Sequence, residues 1–107
     1  MIEHISLTFG SASTNRLRYV SDPSATGARS ALESFYYSLN KRDLVALAQV
    51  WADHPLVQLN NPLGGILRGA PVVVALYARI FEGQTRVEVE FRDIVEYRDG
   101  HHVVFAG

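Results

Sequence analysis

Cysteine is absent from the 107 residues. That removes disulfides, thiolate nucleophiles and thiolate metal sites together, and it fits a reducing compartment. No apolar run approaches the roughly 18 residues that a membrane span requires, so no membrane association is expected. Charge of either sign is not in excess: ten Lys and Arg against eleven Asp and Glu leave a formal net charge of -1. Without a basic surplus to neutralise a phosphate backbone, nucleic acid is not an expected partner. The start, MIEHISLTFGSAS, carries an acid and a histidine where a secretory signal carries basic residues before a longer apolar stretch. The reading is a cytoplasmic protein.

What is present is the balance of a globular domain, 48% hydrophobic and 20% charged, with a length that suits one core. Residues 1–23 read as an N-terminal arm and a possible edge strand: Ile5, Leu7 and Phe9 alternate with Ser6 and Thr8, and GSASTN follows as turn residues. Residues 24–107 read as the folded domain. Ala28, Leu32, Phe35, Tyr36 and Leu39 recur at helical spacing up to about Asn40. Asp43 is placed to cap a second helix with the stripe Leu44, Leu47, Ala48 and Trp51. A short strand is expected over 56–60 and a returning one over 66–68. A third helix then opens near Gly69 or Ala70 with Pro71 in its first turn, and Gly83 closes it.

The last quarter is β. Val87, Val89, Phe91, Val95 and Tyr97 are expected on one face of a long strand, and Glu88, Glu90, Arg92, Glu96 and Arg98 on the other. Asp99 and Gly100 make the hairpin turn. The fold class is therefore α+β, three helices packed on a curved antiparallel sheet.

The pieces SLNKRDLVALAQVWAD and LRGAPVVVALYARIF carry a resemblance across Leu32 to Phe81. This segment resembles the cone-shaped α+β superfamily of nuclear transport factor two, ketosteroid isomerase and the SnoaL-like polyketide cyclases. The resemblance implies a cystatin-like fold with a cone-shaped apolar pocket, walled by candidates Phe35, Trp51, Leu59, Asn60, Tyr77, Phe81 and Phe91. It also implies two further strands past the final hairpin, so the sequence ending at Gly107 is expected to lack the last two strands of the family. The open edge would be covered by the N-terminal strand or by a second copy, and a homodimer is expected.

In the isomerases an acid precedes a proline and a glycine turn and shuttles a proton. Here the corresponding stretch is NNP, placing Asn61 or Asn60 at that position, and a neutral amide cannot act as a base near pH 7. The phenolic donor of the first helix would fall at Phe35, with Tyr36 about 100° away on the helical wheel. The third element would lie beyond Gly107. The isomerase chemistry is thus set aside.

Asp93 interrupts the apolar face of its strand. An unbroken alternation would aim it at the pocket, where desolvation makes it a plausible acid or base. A bulge near Arg92 to Ile94 would instead turn it to solvent and bury Ile94. His4, His54, His101 and His102 have no zinc or facial-triad spacing, so no metal is expected, and no cofactor fingerprint is present. The leading expectation is a protein that binds a small apolar molecule. One alternative is a cyclase, isomerase or hydrolase using Asp93 with Tyr36 or Asn61 on a carbonyl-type substrate. Another is a structural dimerisation module with a filled core.

Overall fold

The computed structural model describes residues 1–60, 65–84 and 86–107. In chain order the elements are β1 (Ile2–Ile5), a 3-10 turn at Leu17–Tyr19, α1 (Ala25–Lys41), α2 (Leu44–Val50), β2 (Gln58–Asn60), β3 (Ile66–Arg68), α3 (Ala70–Glu82), β4 (Ile94–Asp99) and β5 (His102–Ala106). The chain is α+β with three helices and antiparallel sheet. Its strands form a three-stranded sheet in the order β1-β4-β5 and a separate β2-β3 hairpin. No helix among the described residues is long and apolar enough to cross a membrane.

The helix ends follow local chemistry. Ser24 caps α1 by accepting from the Thr26 amide, and Asp43 caps α2 by accepting from the Ala46 amide. Gly69 precedes α3 at φ 90°, a conformation that favours glycine, and its amide donates to the Val57 carbonyl at 2.8 Å. At the far end of α3, the Arg42 guanidinium donates to the carbonyls of Phe81 and, at 2.9 Å, Gly83. A cation is favourable there because the last carbonyls of a helix lack internal partners.

Two apolar clusters share α1. Ile5, Phe9 and Ile94 form one beneath the three-stranded sheet, with Leu32, Tyr36, Phe91 and Phe105 against them. Leu47, Val73 and Tyr77 form the other, joined by Phe35, Leu39, Trp51, Leu59 and Phe81 among others. Thus α1 packs on the sheet through Leu32 and Tyr36, whereas α2, α3 and the β2-β3 hairpin meet around the second cluster.

Three expectations need correction. First, the most buried residues of α1 are Gly27, Ser30, Ser34 and Ser38, while its apolar stripe is half-buried. The N-terminal arm lies over this small-residue face, and the Arg16 amide donates to Ser34 Oγ at 2.9 Å. Ser34 and Ser38 donate to the carbonyls of Ser30 and Phe35, both at 2.7 Å, so the hydroxyls are buried with partners. A Cβ on Gly27 would lie 2.0 Å from the Asp22 carbonyl oxygen.

Second, the long final strand is interrupted. Residues 86–90 are not in a strand, and Phe91 makes one isolated bridge to Phe9. Asp93 sits at φ 55°, in the left-handed region where Asp is among the better tolerated residues. This inserted residue shifts the alternation by one, so Phe91 and Ile94 both face inward. Val95 and Tyr97 therefore lose the expected inward face to Glu96, which is fully buried, and Arg98, which is half-buried.

Third, the hairpin turn is Gly100–His101, with Asp99 paired to His102. Gly100 has φ 58°, which fits glycine at a two-residue turn. His101 is a turn residue and only His102 lies on β5.

Candidate functional site

An apolar cleft lies at the junction of the two clusters. α1 contributes Ala28, Ala31, Leu32 and Phe35, and the end of α2 contributes Val50, Trp51 and Ala52. Leu59 of β2 and Val103 and Phe105 of β5 complete a cleft of about 480 Å³. The geometry follows from the elements. Positions 28, 31, 32 and 35 share one side of a helix, and positions 103 and 105 share one side of a strand. The free edge of β5 and the separate β2-β3 hairpin leave the space between them open.

Trp51 is the C-cap of α2, where the backbone leaves the helix at φ -78°, ψ 136°. Its ring packs edge-on to Phe35, with centroids 6.3 Å apart and planes at 81°, an arrangement favoured by the aromatic quadrupoles. The Trp51 indole Nε1 is buried and has no hydrogen-bond partner among the described residues. Nε and Nη2 of Arg98 are the other buried side-chain nitrogens in this condition.

No protein-family model matches the chain, and no curated protein or solved structure does. The site therefore rests on its own geometry.

Three of the candidate wall residues, Phe35, Trp51 and Leu59, line this cleft together. Tyr77 and Phe81 line a smaller cavity of about 180 Å³ with Leu39, Arg42, Ile80, Val87 and Val89. Phe91 packs instead in the cluster under the sheet, stacked on Tyr36 with centroids 5.1 Å apart and planes at 7°. Asn60 is exposed on β2 and accepts from the Gln58 side chain at 3.0 Å. Asn61 lies outside the described residues.

Asp93 does not line the cleft. Its carboxylate meets His4 Nε2 at 2.8 Å, and the side chains are 87% and 58% exposed. Burial pushes the Tyr36 hydroxyl above its ordinary pKa. The Tyr77 hydroxyl is also raised, mainly by burial and further by neighbouring Tyr36. Both phenols therefore stay protonated at neutral pH, as donors rather than bases. Among the described residues no group of His, Asp and Glu is arranged to hold a metal ion.

Sequence reasoning did not single out the other cleft residues or a buried ion pair beside the sheet. Glu96 is wholly buried and accepts from Arg29 Nε at 2.8 Å and Nη2 at 3.2 Å. The two-pronged contact with Glu96 raises the Arg29 pKa, opposed by desolvation and aided by the charges of Glu96 and Glu3. The signal for this pair was the bulge itself. Once the alternation slips after Asp93, Glu96 must point inward and needs a cation.

Proposed function

We propose that the protein binds a small apolar molecule in the cleft between α1, Trp51 and β5. The supporting observation is the lining: among the described residues, ten from four elements, none with an ionisable side chain, surround about 480 Å³. That volume lies within the range of ~300–1,000 Å³ usual for small-molecule sites. A catalytic role would need an acid or base within reach of the substrate, and the described residues lining the cleft supply none. On this reading the chain is a SnoaL-like protein with a cone-shaped pocket, which agrees with the α+β layout.

The test is a fluorescence titration with 1-aminoanthracene, comparing the natural chain with Ala31→Phe, which adds a ring inside the cleft. Saturable binding that Ala31→Phe weakens by about tenfold or more supports the site, since a filled cavity excludes its occupant. Equal binding to both proteins contradicts it, provided the circular dichroism spectra agree.

Self-association is favoured by a different observation. Ile2 pairs with Tyr97, and Tyr97 with Val104, so these three form one row across the outer face of the sheet. They are 72%, 42% and 61% exposed. A second copy related by a two-fold axis would lay the row on itself, and a net charge of -1 per chain sets little repulsion against it. Light scattering at micromolar concentration is expected to give twice the chain mass, reverting to the single mass in Tyr97→Glu. A monomer in the natural chain contradicts this reading.

A further inference from the structure

We infer that the cleft takes an apolar carboxylate, whose body lies among Phe35, Leu59 and Phe105 and whose anionic end pairs with the Arg98 guanidinium. The inference rests on the binding-site reading above and adds the chemical class of the ligand to it.

Shared walls lead from the cleft to Arg98. Ala28, Ala31 and Val103 line the cleft and also an adjoining cavity of about 280 Å³, which Arg98 lines with them. Strand register puts the Arg98 side chain on this side of the sheet. Arg98 stands opposite Val103, as Glu96 stands opposite Phe105, and directly opposed residues of an antiparallel pair share a face. Val103 and Phe105 both line the cleft. Gly27, Ala28 and Ala31 of α1 border the cavity from the other side, and their small size leaves room beside the cation.

The charge of Arg98 is not compensated. Its guanidinium has no hydrogen-bond or ion-pair partner among the described residues. Nε and Nη2 are buried, whereas Nη1 is not among the buried atoms and is the nitrogen left to meet a ligand. Carboxylates in its surroundings are committed elsewhere. Glu96 holds Arg29 through two hydrogen bonds. Asp22, which lines the same cavity, accepts from the amide and the hydroxyl of Ser24 at 2.8 and 2.6 Å. A half-buried cation without a counter-charge is costly, and an anion at its accessible end offsets that cost.

The same residues limit the anion. His101 lines the cavity from the exposed hairpin turn, so among the described lining residues Arg98 is the one cation that cannot lose its proton near neutral pH. With Asp22 close by, one guanidinium balances a single negative charge, as on a carboxylate, and leaves the second charge of a phosphate opposed. The described lining of the cleft beyond Val103 has no ionisable side chain, so the rest of the molecule is apolar.

The experiment titrates the full chain at neutral pH with octanoate and, separately, with 1-octanol, following the methyl signals of Val50, Leu59 and Val103. Both compounds are expected to shift these signals saturably. Arg98→Met, which keeps an apolar stem without the charge, is expected to weaken octanoate by about tenfold and leave 1-octanol within about twofold. Retained 1-octanol binding shows that this variant keeps its cleft.

If Arg98→Met leaves octanoate unchanged, or weakens both compounds alike, the pairing with Arg98 is wrong and the cleft reading stands. If neither compound shifts the methyl signals, the cleft itself is overturned and the inference falls with it.

Discussion

At the scale of single residues, Glu96 shows how one backbone angle changes the chemistry of a strand. The left-handed Asp93 at φ 55° turns inward a carboxylate, that of Glu96, which an unbroken strand would have presented to solvent, and Arg29 answers it with a two-pronged contact. Taking Arg29 away leaves a buried charge, whereas replacing both partners with apolar side chains removes the desolvation cost along with the attraction. Arg29→Met is therefore expected to lower stability by about 2–3 kcal/mol, at or below the lower bound of what broken buried pairs cost because the Arg29 side chain is 31% exposed. The double variant Arg29→Met, Glu96→Leu should recover most of that loss. Urea denaturation of the two variants checks both values, and a double variant no better than the single one would contradict the account.

At the scale of elements, the segment before the bulge is held without a strand partner. Asn40 near the end of α1 donates from Nδ2 to the Val89 carbonyl at 2.8 Å and accepts from the Val89 amide through Oδ1 at 2.8 Å. One side-chain amide thus makes the paired contacts that a neighbouring strand would otherwise supply. The same Nδ2 also donates to the Tyr36 carbonyl at 2.8 Å, which ties the clamp to the helix. Asn40→Ala is expected to raise amide exchange at Val89 by at least tenfold while leaving exchange at Ile94 and Val95, inside β4, nearly unchanged. Uniform acceleration at all three positions would show that the clamp supports the whole sheet rather than this segment.

The elements were largely legible in the sequence, and their neighbours in space were not. Asp43, Gly69 and Gly83 mark helix ends through local backbone chemistry, which a single chain displays openly. The serine face of α1 was hidden because a hydroxyl that bonds to its own helix has no signature in hydrophobic spacing. The cleft was half visible. Phe35, Trp51 and Leu59 stood out as large apolar residues, but Ala28 and Ala31 matter because they are small and leave room. Val103 and Phe105 entered only when the register of β5 was known.

At the scale of the whole molecule, α1 serves as a shared wall between a sheet-side cluster and a helix-side cluster. Where two cores meet along one helix, packing is interrupted, and an apolar opening of about 480 Å³ is left between β5 and the β2-β3 hairpin. The central claim is that this opening receives a ligand. Its most direct test is methyl chemical-shift mapping across the molecule during addition of 1-aminoanthracene. The account predicts saturable shifts concentrated at Ala28, Ala31, Val50, Leu59 and Val103, with Ile2 and Val104 on the outer sheet face silent. Shifts centred on Ile2 and Val104, or none at the five cleft residues, would contradict it.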